Sequence, residues 1–151
     1  VAECNLEDLV QDTVSMLDSI ITEKNVEVTI QKDMPIIICD KVRMREVFHN
    51  LITNAIKYNN KSSKSIEIGH TKDSQFFVKD NGIGIPEKFR EEVFRIFKRL
   101  NAEDDSTKGT GVGLTFVKKI IERHGGNIWI ESDEGDGTTF HFTLPRRTAN
   151  D

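Results

Sequence analysis

Apolar positions recur at helical spacing in three stretches of the chain. Over 6–23, Leu6, Val10, Val14, Leu17 and Ile21 share one side, with Asn5 or a neighbour as the cap. Over 42–58, Met44, Phe48, Leu51, Ile52, Ala55 and Ile56 do the same, and Asp40 stands where an N-cap belongs. A third helix is predicted from about 111 to 124, stopped by the glycine pair at 125 and 126. Elsewhere the period falls to two. "VEVTI" at 26–30 and the apolar run at 35–39 read as strands. "IEIGH" and "QFFVKD" read as a strand pair turning at Asp73, and "NIWIES" and "TTFHFTL" as a hairpin through "DEGDG". A short helix is expected after Pro86, and 59–65 and 98–110 are polar loops. Three main helices with five to seven strands, several in hairpins, predict a two-layer α/β sandwich rather than alternating βαβ units.

Composition narrows this picture. With 151 residues the chain has the length of one domain and can bury a core. Hydrophobic residues at 36% and charged ones at 30% describe a folded chain, and a net charge of −4 argues against a general nucleic-acid binder. Two cysteines, Cys4 and Cys39, are too few for a disulfide framework and lack metal spacing, so a cytoplasmic setting is expected. No apolar run is long enough to span a bilayer, and no direct membrane contact is expected. The chain begins with Val rather than Met, as a fragment of a longer protein would.

Four stretches carry candidate chemistry. In the helix over 42–58, Asn50 and Asn54 stand four residues apart beside the apolar stripe, where Asn is a poor helix former. An amide oxygen is a neutral hard ligand that suits magnesium, which otherwise keeps water and phosphate oxygens around it. Lys57 can neutralise phosphate one turn on, and Tyr58 can cover an adenine ring. In "DNGIGI", a buried Asp80 can accept from the exocyclic amino group of adenine, whereas guanine would face it with a carbonyl. Gly82 and Gly84 let the backbone approach the base. In "KGTGVGL", glycines precede a helix without the strand that a dinucleotide fold requires, and no P-loop Lys-Ser or Lys-Thr follows. A loop feeding free amides at a helix N-terminus suits a phosphate chain. In "VFRIFKRL", Phe94 and Phe97 read as core anchors, and 98–110 as a lid whose acidic residues point away from triphosphate.

Taken in order, Asn50-x-x-x-Asn54-Ala-x-Lys57-Tyr58, Asp80-x-Gly82-x-Gly84-Ile85, Phe94-x-x-Phe97 and Gly109-Thr-Gly111-x-Gly113-Leu114 resemble the N, G1, F and G2 boxes of sensor histidine kinase catalytic domains. These belong to a superfamily shared with gyrase and the heat-shock chaperone ATPase. The resemblance covers 1–147, leaving 148–151 as a tail. It implies a Bergerat-type fold, a mixed sheet of about five main strands with three main helices on one face. It implies ATP and magnesium as cofactors, with Asn54 holding the metal and Asn50 beside it. Lys57 would meet phosphate and Tyr58 the adenine or ribose. Asp80 would read adenine, with Gly82, Gly84 and Ile85 as the pocket wall. Arg99 would touch the γ-phosphate, and Gly109, Thr110, Gly111, Val112, Gly113 and Leu114 would wrap the triphosphate. Lys108 stands where many relatives have Pro and would meet phosphate or solvent. Thr139 is expected beside Asp80.

The resemblance also separates chemistries. In the hydrolysing relatives a Glu stands four residues before the magnesium Asn and acts as general base. Here that place holds Asn50, which cannot take a proton. A neutral imidazole needs no base, so Asn50 favours transfer to histidine. None of His49, His70, His124 and His141 is followed by Glu or Asp, so the acceptor is expected on a separate helical dimerisation and phosphoacceptor domain before Val1. The implied partners are that domain and a downstream response regulator, with a monomeric isolated domain and a homodimeric parent. The alternatives are a regulatory nucleotide-binding module without kinase activity and an ATP-gated clamp like gyrase.

Overall fold

The computed structural model describes residues 1–72, 74–90, 92–94, 110–133 and 135–145, with the backbone alone at 72 and 110–112. In chain order the elements are β1 (Ala2–Asn5), α1 (Leu6–Met16), α2 (Asp18–Glu23), β2 (Val26–Ile30), β3 (Ile36–Cys39) and α3 (Lys41–Lys57). They continue with β4 (Lys64–Lys72), β5 (Gln75–Asp80), α4 (Thr110–Arg123), β6 (Ile128–Asp133) and β7 (Gly137–Thr143). Single 3-10 turns at Glu87–Phe89 and Glu92–Phe94 lie between β5 and α4.

Alternating strands need a partner for their apolar face. Five of them form one sheet, ordered β2-β4-β5-β7-β6. The β2–β4 pair is parallel and the other three are antiparallel, giving the expected mixed sheet. Its register aligns Ile30, Ile68, Val78, Phe140 and Ile130 in one row through all five strands. A second row runs His70, Phe76, Phe142 and Ile128. Helices cover these rows. Leu6, Leu9 and Val10 of α1, Met44, Phe48, Leu51 and Ile52 of α3, and Val117 and Ile121 of α4 are all buried. Phe48 meets Phe142 edge-on at 5.6 Å between ring centroids, tying α3 to the middle of the sheet.

The caps follow the sequence. Asn5 accepts from the Asp8 N–H at 3.3 Å, and Asp40 from the Arg43 N–H at 3.2 Å. One expectation is corrected, and two features go beyond the sequence reading. The helix expected over 6–23 is two helices. At Leu17 the N–H bonds back three residues to Val14, and the chain turns so that α2 packs beside β2. No Gly or Pro marks the break. The apolar run at 35–39 does not join the main sheet; β3 pairs with β1 in a separate antiparallel ladder. Strand β1 itself escapes the pattern, because Cys4 is its single buried residue. Burial, followed by contact with the Cys4 thiol, pushes the Cys39 thiol up to about 12, so the cysteines act here as packing groups. Among the described residues, no helix is long and apolar enough to cross a membrane.

Phe142 touches both Phe48 and Phe76, at 5.6 and 5.7 Å. Phe142→Ala is expected to lower stability by about 3–5 kcal/mol, the range for a truncated core aromatic. Urea denaturation checks this as a lower midpoint at unchanged slope.

Candidate functional site

In "QFFVKD" the alternation that buries Phe76 and Val78 puts Asp80 on the same inner face. A carboxylate there must be hydrogen-bonded. Its Oδ1 accepts from the Gly82 N–H at 2.8 Å and the Thr138 N–H at 3.2 Å. Among the described residues both bonds fall on Oδ1, which leaves Oδ2 as an open acceptor. Burial pushes the Asp80 carboxyl above its ordinary value, while the two amides and the nearby Lys61 charge pull it back.

The backbone around Asp80 closes tightly, and glycine makes the closure possible. A Cβ on Gly82 would lie 2.5 Å from the Tyr58 carbonyl oxygen, so the end of α3 packs directly on this loop. Gly137 has φ +100°, and a Cβ there would collide with the Asp80 carbonyl. The loop is then pinned. Ile83 N–H donates to the Tyr58 carbonyl at 3.1 Å, Gly135 N–H to the Ile83 carbonyl at 2.8 Å, and Ile85 N–H to Ser132 Oγ at 2.7 Å. Arg90 reaches back to the carbonyls of Ile85 and Ser132. Gly84, at φ +81°, makes the turn between them.

The α3 side is built from its C-terminal half. Asn54 is buried, and among the described residues no hydrogen bond engages its amide. Asn50 donates through Nδ2 to the Glu46 carbonyl at 2.8 Å, leaving Oδ1 as its outward atom. That oxygen faces α4: a Cβ on Gly113 would lie 2.7 Å from it. Lys57 is exposed in the last turn, and Tyr58 closes the helix with its N–H on the Asn54 carbonyl. The structure thus brings Asn50, Asn54, Lys57 and Tyr58 onto the C-terminal half of α3 and its cap, and sets the loop that holds Asp80, Gly82, Gly84 and Ile85 against Tyr58.

The α4 side departs from expectation in part. The helix begins at Thr110, so Thr110, Gly111 and Val112 are its first turn. Leu114 is buried in the core, so its side chain anchors the helix and does not wrap phosphate. Thr115 Oγ1 donates to the Phe94 carbonyl at 2.8 Å, and Phe94 stands edge-on to Phe140 at 6.1 Å, the core anchor that "VFRIFKRL" suggests. Arg99, Lys108, Gly109, Phe97 and most of the 98–110 stretch expected to be a lid lie outside the described residues.

Thr139 is corrected by one position. Strand β7 buries Thr138, Phe140 and Phe142 on one face, so Thr139 points to the opposite face. Thr138 is the residue beside Asp80, and its hydroxyl lies 3.0 Å from Ser132 Oγ. The alternation of "TTFHF" already carries that phase. Sequence reasoning also missed Asn59 and Asn81. Asn81 Oδ1 accepts from Asn59 Nδ2 at 2.7 Å and Ser65 N–H at 2.9 Å, joining the ends of α3, β4 and β5. Their signal is weak, since Asn after a helix or strand ordinarily marks a turn.

The Asp80 charge has a consequence for stability. Its folded-state carboxyl titrates above the unfolded value of 3.8, so its contribution is complete below that value and is lost as pH rises through the folded one. Asp80→Asn keeps an oxygen for Gly82 and Thr138 and carries no charge. The variant is expected to melt no lower than wild type near neutral pH, with its advantage growing as pH rises out of the acid range. Thermal melts between about pH 4 and 8 check this; a variant less stable at every pH contradicts it.

Comparisons with known proteins agree with this geometry. Residues 39–148 match the family model described as histidine kinase-, DNA gyrase B- and HSP90-like ATPase. The chain is 49% identical over 146 residues to cyanobacterial phytochrome B of Nostoc sp. (strain PCC 7120), covering 94% of this chain and 19% of that protein. It therefore spans about a fifth of that relative's length. The catalytic domain of histidine kinase ThkA superposes with a TM-score of 0.80 at 30% identity, covering 96% of this chain and 95% of that one. Full-length ShkA in complex with AMPPNP superposes with a TM-score of 0.82 at 25% identity, covering 98% of this chain and 31% of that one. The chain belongs to the histidine kinase-, DNA gyrase B- and HSP90-like ATPase family, as the ATP-binding catalytic domain of a sensor histidine kinase.

Proposed function

We propose that this domain binds ATP with magnesium and donates the γ-phosphoryl group to a histidine on a separate helical phosphoacceptor domain of its parent, from which a response regulator takes it. The observation that carries the reading is the Asp80 carboxylate, fixed on Oδ1 by Gly82 and Thr138 with Oδ2 open. A fixed, partly buried acceptor suits the amino group of adenine and opposes the carbonyl of guanine. Tyr58 stands at the adjoining helix end and is assigned to cover the base or ribose.

The phosphates then run toward α4. Its first turn, Thr110 to Val112, turns its backbone amides out at the positive end of a helix dipole. Asn50 and Gly113 close that end. The donor set fits magnesium, because among the described residues no hydrogen bond commits the Asn54 amide, and the Asn50 amide nitrogen is spent on Glu46, leaving its oxygen. Among the described residues, no cluster of three or more His, Cys, Asp or Glu competes for a metal, so phosphate oxygens and water would complete the shell. When bound, the ion neutralises charge on the transferring phosphoryl group. Lys57 and Arg99 are assigned to the phosphates.

Histidine is favoured as acceptor over water by Asn50. Its Nδ2 is committed to Glu46 and its Oδ1 is an amide oxygen, so nothing there removes a proton. The lone pair of a neutral imidazole nitrogen attacks phosphorus as the bond to the ADP oxygen breaks. The chain mixed with its acceptor domain and labelled ATP is expected to yield acid-labile phosphohistidine, with slow hydrolysis when alone. Brisk hydrolysis without transfer would contradict the reading. Asn54→Ala is expected to weaken magnesium-dependent ATP binding more than about tenfold while adenosine affinity holds; isothermal calorimetry distinguishes the two.

A further inference from the structure

In the sequence His124 is simply the residue before a helix stop. In the structure its ring is bonded at both nitrogens. Nδ1 lies 2.8 Å from the Ile120 carbonyl oxygen, which can only accept, so the ring proton sits on Nδ1. Nε2 therefore holds a lone pair, and it accepts the Asp40 backbone N–H at 3.1 Å. Asp40 is the N-cap of α3. One imidazole thus joins the last turn of α4 to the first turn of α3.

The two helices run antiparallel and meet again where Gly113, near the start of α4, abuts Asn50 in the middle of α3. From residue 113 to 124 is roughly 16 Å of helix at 1.5 Å per residue. Between these points the two helices pack together, and the buried side chains of both, among them Met44, Val47, Val117 and Ile121, belong to the one apolar core. Apolar packing is non-directional and tolerates a small axial slide. A directional hydrogen bond does not, which is how single polar groups set register between helices. A ring with one donor and one acceptor is what the junction requires, since the Ile120 carbonyl accepts and the Asp40 N–H donates.

We propose that His124, as the Nδ1-protonated imidazole, is a positioning residue: it fixes the axial register of α4 on α3, and through it the placement of the α4 N-terminal amides over the phosphates of ATP. This rests on the reading that those amides take phosphate. The adenine end, held by β5, β7 and the loop after β5, is outside its influence. His124 therefore acts on ATP binding and leaves adenosine binding alone, a split that general destabilisation cannot produce.

The test compares wild type with His124→Ala, His124→Asn and His124→Gln. Gln carries its oxygen to where Nε2 stood and can accept from Asp40, whereas Asn reaches only the Nδ1 position. Calorimetry is run separately with magnesium-ATP and with adenosine. ATP affinity is expected to fall roughly threefold to tenfold in His124→Ala and His124→Asn, the effect of one hydrogen bond, and to recover in His124→Gln. Adenosine affinity is expected to stay constant across all four. ATP affinity unchanged in Ala and Asn, or adenosine affinity falling in parallel, would overturn the proposal. Wild type that binds ATP no tighter than adenosine would refute the phosphate reading itself and the proposal with it. Independently of any variant, nitrogen-15 spectra of the wild-type histidines at neutral pH should show the Nδ1-protonated tautomer at His124; an Nε2-protonated ring there would also overturn it.

Discussion

A carboxylate on the apolar face of a sheet is tolerated only when its hydrogen bonds are met, and the placement of Asp80 organises much of this domain. The Gly82 and Thr138 amides satisfy one of its oxygens. To deliver them, the loop after β5 must fold back and the β6–β7 hairpin must close over the strand end. Both movements require a missing side chain, at Gly82 against Tyr58 and at Gly137 against the Asp80 backbone. The end of α3 is brought in by the same closure. The base-reading group, the glycine loop and the amide-bearing helix are therefore parts of one packing solution.

The second constraint is the antiparallel contact of α3 with α4. It carries the site's other half, because the phosphate end depends on the start of α4 lying beside Asn50 in α3. Asn50 illustrates how one residue serves both purposes. Its amide nitrogen is spent inside its own helix on Glu46, and its oxygen is pressed toward Gly113. A Glu here would place a charge and a proton acceptor against the first turn of α4. The amide gives a helix contact and a ligand oxygen without a base.

Much of this was legible in the sequence. The 3.6-residue and two-residue periods gave the sandwich, and "QFFVKD" carried the phase that puts Asp80 on the inner face. What was not legible has physical reasons. The break at Leu17 has no Gly or Pro and arises from packing against β2. Strand β1 is too short to show a period. Thr138 was legible in phase but mistaken for its neighbour Thr139, a slip that sends a side chain to the wrong face of the sheet. Asn59, Asn81 and the double bonding of His124 depend on partners distant in sequence, 22 residues apart for the first pair and 84 for His124 with Asp40.

Asp80 as the reader of adenine is tested most directly by changing the base while keeping the protein intact. Calorimetry with ATP and with purine riboside triphosphate, which lacks the exocyclic amino group, isolates that one contact. ATP is predicted to bind roughly fivefold to a hundredfold tighter, the range for leaving a buried acceptor unpaired. Equal affinities would contradict the assignment of Asp80 and, with it, the reason this strand end is built as it is.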